Sequence, residues 1–256
     1  MASPLFDLSG RVAVITCISR GIGRALAHGF AEAGAIVVGC ARSYEAAERT
    51  AEQIRAKGGE ALGVLADVTK PEDCQALIDN AVRRYGRLDI AVLNAGINIK
   101  KPSIDFAASE FDIVINGNLR AYFLTAQAAA RQFIKQGRGG AIVMNSSNAS
   151  LAAFDELGPY CAAKAGIDGL VRALAAEWGP HGIRVNAFNP GYTTHSMTDK
   201  GQEYLKTGAS EIIGRTPLRR MAEVSEMAGP AIFLASDAAS FVTGVTLAVD
   251  GGWCAY

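Results

Sequence analysis

Tyr160 and Lys164 stand four residues apart in Tyr160-Cys161-Ala162-Ala163-Lys164, a spacing that puts a phenol and an ammonium on one face of a helix. Pro159, just ahead, suits the first position of such a helix. A free tyrosine ionises near pH 10, about three units too high for useful proton exchange at neutral pH. A lysine within a few ångströms favours the phenolate and is expected to lower that value. The spacing alone also fits an ordinary amphipathic helix start. A second stretch with chemical potential is Thr16-Cys17-Ile18-Ser19-Arg20-Gly21-Ile22-Gly23. Glycines at a strand-to-helix turn let backbone N–H groups approach a pyrophosphate at the helix N-terminus. A simple tight turn would look similar, but the position after a first strand is the context that phosphate binding requires.

The elements that must hold these residues can be read from apolar periodicity. Short β-branched runs at 12–16, 36–40, 61–66, 90–93, 141–145, 184–188 and 246–249 alternate with amphipathic stretches near 22–33, 43–57, 71–85, 109–135, 159–179 and 223–236. Unbroken apolar strands separated by helices predict an α/β fold. The expectation is one doubly wound, Rossmann-type domain over residues 1–256, with a central parallel sheet of about seven strands and helices on both faces. Residues 192–220 stand apart as a polar, glycine-punctuated stretch and are read as a substrate lid over the crevice at the carboxyl ends of the strands.

Composition narrows the function. Of 256 residues, 25 are basic and 25 acidic, a balance that argues against a nucleic-acid surface or an anionic-membrane binder. No apolar run reaches membrane length, and the first residues lack the basic and apolar regions of a secretory signal. Five scattered cysteines (Cys17, Cys40, Cys74, Cys161, Cys254) have no metal spacing and read as reduced thiols of a cytoplasmic protein, with no metal site.

Together with Asn94-Ala95-Gly96, Asn118, Ser147 and Pro190-Gly191, these motifs resemble the short-chain dehydrogenase/reductase family over essentially the whole chain, as far as Val249-Asp250-Gly251-Gly252. The resemblance implies that Tyr160 is the general acid/base and that Lys164 lowers its pKa and hydrogen-bonds the nicotinamide ribose. It implies that Ser147, thirteen residues before Tyr160, polarises the substrate carbonyl, with Ser146 as the alternative in an adjacent register. Asn118 corresponds to the asparagine that holds a proton-relay water, while Asn116 is read as structural. For the dinucleotide, the resemblance implies contacts from Thr16, Ser19, Arg20, Gly21, Ile22 and Gly23 at the phosphates. Asn94, Ala95 and Gly96 would line the adenosine ribose, Asp67 and Val68 the adenine, and Pro190, Gly191 and Thr193 the nicotinamide.

Relatives selective for NAD place an acidic residue at the end of the second strand. Ala41 stands there, followed by Arg42, and Arg20 lies across the same position. Two arginines suit a 2′-phosphate, so NADP(H) is expected in preference to NAD(H). Several segments resemble the gluconate 5-dehydrogenase and 2-deoxygluconate 3-dehydrogenase branch, in which a basic residue at the Lys100 position faces a substrate carboxylate. The expected function is therefore an NADP(H)-dependent interconversion of a secondary alcohol and a ketone on a small polyol or sugar-acid substrate, by a protein that is commonly a homotetramer in this family. A 3-oxoacyl thioester reductase and a non-catalytic, cofactor-binding regulatory protein are the alternatives. Two residues depart from the family pattern: Cys17 replaces the first glycine of the phosphate loop, and His195 replaces a threonine after Pro190-Gly191. His195 reads as a solvent-facing lid residue. Cys17 carries a Cβ, so it is expected either to sit at negative φ or to push the turn outwards.

Overall fold

The strands are short runs of small and β-branched apolar residues, buried along most of their length, as a sheet covered on both faces requires. The computed structural model describes residues 4–194 and 208–255. Its sheet contains β1 (Val12–Ile15), β2 (Ile36–Ala41), β3 (Ala61–Leu65), β4 (Ile90–Leu93), β5 (Gly140–Asn145), β6 (Ile183–Pro190) and β7 (Thr246–Val249). All seven strands are parallel, in the order β3-β2-β1-β4-β5-β6-β7. The order reverses between β1 and β4, which opens a crevice at their carboxyl ends.

Successive strand residues point to opposite faces, and each face has its own core. Val12 and Val14 of β1 pack with Leu77, Ile78, Phe133 and Ile167 on one side. Ala13 and Ile15 pack with Leu26, Phe30, Ile54 and Phe188 on the other. The second core is covered by α1 (Gly21–Glu32), α2 (Tyr44–Ala56) and α8 (Ala228–Ala235), and the first by α3 (Pro71–Tyr85), α5 (Ala121–Gln136) and α6 (Gly158–Trp178). Pro71 at the start of α3 and left-handed Gly86 at its end mark that helix by the usual start and stop chemistry.

The helix expected over 109–135 is divided. α4 (Ala108–Ile115) runs into a wide π-turn, Asn116–Arg120, before α5 begins. A π-turn adds a residue to the turn and rotates what it carries. Here Asn118 is fully buried while Asn116 and Arg120 face outward.

Part of the expected lid is described. Thr193 bridges to Ala222, and α7 (Ala209–Arg215) is held at its end by the Arg215 guanidinium, 4.4 Å from the centre of the Trp253 ring. Trp253 in turn stacks on Phe154 and meets Tyr192 edge-on. Residues 195–207, with His195, lie outside the described residues. Among the described residues no helix is long and apolar enough to cross a membrane, and no group of His, Cys, Asp or Glu could hold a metal ion.

Candidate active site

The loop after β1 turns sharply because Cys17 adopts φ +57°, in the left-handed region. The two expected alternatives, negative φ or an outward-pushed turn, both fail: the cysteine accepts the strained conformation and the turn stays tight. For a residue with a Cβ that conformation costs about 1–2 kcal/mol. The tightness is measured at Gly23, where a Cβ would lie 2.0 Å from the Cys17 carbonyl oxygen and 2.5 Å from Asn94 Nδ2. The first turn of α1 has no side-chain cap from Arg20 and no acidic residue. Its N–H groups and the positive end of its dipole are thus available to an anion. These features fit the pyrophosphate of a dinucleotide.

Thr16 is buried beneath this loop, and its Oγ1 accepts hydrogen bonds from the N–H groups of Asn94 and Ala95 at 2.8 and 3.1 Å. Asn94 Nδ2 donates back to the carbonyls of Thr16 and Cys17. Ser19 and Ile22 are half-buried, and Gly96 is exposed at the rim. Arg20 and Arg42 are exposed, and both act electrostatically on the Cys17 thiol, which burial pushes up and the two guanidinium groups draw back down. Burial also acts to raise the Asp67 carboxyl, but hydrogen bonds from Thr69 and the charges of Lys70 and Arg42 outweigh it and leave it lowered. Arg20, Arg42 and Asp67 therefore all act on the Cys17 thiol, and Val68, next to Asp67, is buried.

At the other end of the crevice, α6 presents Tyr160 and Lys164 toward the end of β5. Lys164 is buried, and its Nζ donates to the Asn145 carbonyl at 2.8 Å. Nζ lies 5.5 Å from the centre of the Tyr160 ring and 5.2 Å from that of Tyr122. Burial lowers the Lys164 pKa to about 7, against the opposing charge of Asp168. Burial pushes the Tyr160 phenol up to about 12, against a hydrogen bond with Ser147. This corrects the expected lowering of the phenol by its lysine neighbour. Desolvation outweighs what opposes it in each case, the Ser147 hydrogen bond for the phenol and the Asp168 charge for the amine, and the amine has the Asn145 carbonyl as its hydrogen-bond partner.

Ser147 caps a short turn, with its Oγ accepting from the Ala149 N–H at 3.1 Å and donating to Asn148 Oδ1 at 3.3 Å. Ser146 instead donates to the Lys164 backbone carbonyl at 3.2 Å, and the hydrogen bond that acts on the Tyr160 phenol is that of Ser147. Asn118 Nδ2 donates to the carbonyls of Ile97 and Val114 at 2.7 and 2.8 Å. Its buried Oδ1 has no partner among the described residues. Pro190 and Thr193 are buried beside Gly191, and Thr193 Oγ1 donates to the Gly191 carbonyl at 3.1 Å. Lys100 is at the rim, its ammonium 3.4 Å from Glu156 Oε2. The neighbouring Lys101 N–H donates to the Glu156 carbonyl, which ties the two rim loops together.

Asn145, Tyr122, Asp168, Asn189 and Ser150 were missed by sequence reasoning. Only Asp168 carried a readable signal, four residues beyond Lys164 on the same helix.

A protein-family profile described as Enoyl-(Acyl carrier protein) reductase matches residues 17–254. The 2-dehydro-3-deoxy-D-gluconate 5-dehydrogenase of Escherichia coli (strain K12) is 40% identical over 250 residues, 98% of each chain. A 3-oxoacyl-[acyl-carrier-protein] reductase of Staphylococcus aureus is 37% identical, over 94% of this chain and 96% of its own. Among solved structures, a gluconate 5-dehydrogenase from Burkholderia cenocepacia in complex with NADP and tartrate has 38% identity and a TM-score of 0.93, with 98% of each chain covered.

The phosphate loop generates a direct test. A methyl group at Gly23 must displace a backbone carbonyl, so Gly23→Ala is expected to weaken NADPH binding by about tenfold or more in a fluorescence titration, with far-UV circular dichroism unchanged. Wild-type affinity would show that the loop does not seat the cofactor.

Proposed function

The chain belongs to the short-chain dehydrogenase/reductase family, and from that premise we propose that it interconverts a secondary alcohol and a ketone on a polar polyol or sugar acid, using NADP(H) in preference to NAD(H). The observation that carries this reading is the buried Lys164 amine 5.5 Å from the centre of the Tyr160 ring, with Ser147 acting on the phenol by a hydrogen bond.

A nicotinamide dinucleotide supplies the hydride when bound. Tyr160 gives its phenolic proton to the ketone oxygen in reduction and takes it back in oxidation. Ser147 donates a hydrogen bond to the same oxygen as negative charge develops there. Lys164 and Tyr160 would hold the nicotinamide ribose, and Asn118, whose buried Oδ1 has no partner among the described residues, would hold a proton-relay water. The phosphates are seated by Ser19, Arg20, Gly21, Ile22 and Gly23, with Thr16 beneath. Asp67, Val68, Asn94, Ala95 and Gly96 line the adenosine, and Pro190, Gly191 and Thr193 the nicotinamide. Arg20 and Arg42 face a 2′-phosphate, a role supported by their shared influence on Cys17 and by Ala41, which adds no repelling charge.

Lys100 is assigned to a substrate carboxylate, which would compete with Glu156 for its ammonium. Residues 192–220 act as the lid, and the protein works in the cytoplasm. A homotetramer that pairs α5 and α6 is supported by a groove lined by Phe123, Ile134, Leu174 and Trp178, where Phe123 and Ile134 are 37% and 44% exposed. The second reading, reduction of 3-oxoacyl thioesters, is favoured by the name of the Staphylococcus aureus relative and by the acyl-carrier description of the family profile.

A panel of keto-sugar acids, neutral ketones and 3-oxoacyl thioesters, followed by loss of NADPH absorbance, separates the readings. Keto-sugar acids should turn over fastest, and Tyr160→Phe should reduce kcat by about 100- to 10,000-fold while weakening NADPH binding far less, since Lys164 and the phosphate loop keep their contacts. Retained turnover in Tyr160→Phe would contradict the assignment, and turnover of thioesters alone would favour the second reading. For the cofactor, Ala41→Asp combined with Arg42→Ala should move preference toward NADH, since it removes a phosphate partner and adds an acceptor for the ribose hydroxyl. A wild type that already prefers NADH would show that Arg20 and Arg42 are only surface charges.

A further inference from the structure

Asp168 stands one helical turn beyond Lys164 on the same face of α6, and the proton chemistry assigned to Tyr160 and Lys164 gives it no task. It is only 6% exposed, and a carboxylate that deep is rare without partners. Oδ2 accepts a hydrogen bond from Asn189 Nδ2 at 3.1 Å, and Oδ1 has no partner among the described residues. Asn189 is fully buried on β6, next to Pro190, and its Nδ2 also donates to Ser150 Oγ at 2.7 Å. Ser150 Oγ donates in turn to the Ser147 carbonyl at 2.7 Å. A continuous chain of hydrogen bonds, buried at Asp168 and Asn189 and half-buried at Ser150, therefore runs from the tyrosine–lysine helix, across β6, to the Ser147 backbone.

The groups around the Lys164 amine are few. Tyr160 and Asp168 come from α6 itself, the Tyr122 ring from α5 and the Asn145 carbonyl from β5. Asp168 is the one carboxylate among them. Burial favours the neutral amine and Asp168 opposes it, which is the direction expected of an opposite charge behind a desolvated ammonium.

We propose that Asp168 is a positioning residue for the reaction: through Asn189 and Ser150 it fastens the Ser147 loop to the tyrosine–lysine helix, and it places a carboxylate one helical turn behind the buried Lys164 amine. The proposal rests on the assignment of Tyr160 and Lys164 under the proposed function. Its two parts are separable. Asp168→Asn keeps an oxygen for the Asn189 amide and removes the charge, whereas Ser150→Ala breaks the link and leaves the charge in place.

The test combines two measurements on the full chain. Lys164 is titrated in the cofactor-free protein by NMR of ε-carbon-labelled lysine, its signal assigned by its loss in Lys164→Arg. The pH dependence of kcat and KM for ketone reduction with NADPH is measured on the same variants. Asp168→Asn should move the Lys164 midpoint down by about one pH unit and carry the high-pH fall of kcat with it, while KM changes less than about twofold. Asp168→Glu should recover part of that displacement. Ser150→Ala should lower kcat by about tenfold with the midpoint in place. An unmoved midpoint in Asp168→Asn, or wild-type kcat in Ser150→Ala, overturns the proposal, since a merely structural aspartate would change stability and not the titration. Should Asp168→Asn fail to fold, Asp168→Ser is read by the same criterion. The titration needs neither substrate nor cofactor, so its failure is distinct from failure of the oxidoreductase reading, which would show as absence of turnover in the wild type.

Discussion

The carbonyl of Asn145, at the end of β5, accepts hydrogen bonds from Lys164 Nζ and from the Tyr122 hydroxyl, each at 2.8 Å. The side chain of the same residue donates to Asn94 Oδ1 at 2.7 Å, and Asn94 is bonded to Thr16 and Cys17 at the head of the phosphate loop. One line of hydrogen bonds thus joins the lysine on α6 to the ends of β5, β4 and β1. Bonds of this kind contribute roughly 1–3 kcal/mol each, the charged one most. Their larger consequence is geometric. The proton-bearing residues and the dinucleotide cradle arise from segments far apart in the chain, and this line fixes the distance between them.

Burial then decides the charge states. Tyr160 and Lys164 are placed where water is scarce, and desolvation drives each toward its neutral form, the phenol to about 12 and the amine to about 7. A lysine near neutrality responds to small changes of environment, and a buried carboxylate one turn away is positioned to set that response. The cradle shows a different compromise. Cys17 is held in a conformation that glycine adopts freely, yet the turn keeps its shape because Gly23 and the Asn94 side chain close against the Cys17 carbonyl. The loop tolerates the strain because its neighbours determine its path.

Much of this was legible in the sequence for identifiable reasons. The seven strands were readable because both faces of a parallel sheet are covered, which leaves continuous apolar runs such as Ile90–Leu93. Tyr160 and Lys164 were paired by their spacing on one helix, whereas Ser147 was singled out only by the family resemblance. The π-turn at Asn116–Arg120 was not, because a one-residue expansion inside a helix leaves the apolar period almost unchanged. The direction of the tyrosine shift was also hidden: spacing brings a lysine near a phenol, but depth of burial and the Asn145 carbonyl are tertiary facts. Asn189 and Ser150 belong to different elements from Asp168 and meet it only in the folded chain. The conformation of Cys17 was misjudged because a local steric rule was applied without the neighbours that enforce the turn.

Burial beside the Asn145 carbonyl, more than any surface charge, governs the lysine of the proton pair. The most direct measurement is the titration midpoint of Lys164 in the wild-type, cofactor-free protein, read from the ε-carbon resonance of labelled lysine. A desolvated amine gives a midpoint near pH 7, whereas a midpoint at the ordinary lysine value of 10.5 would show that burial does not govern it.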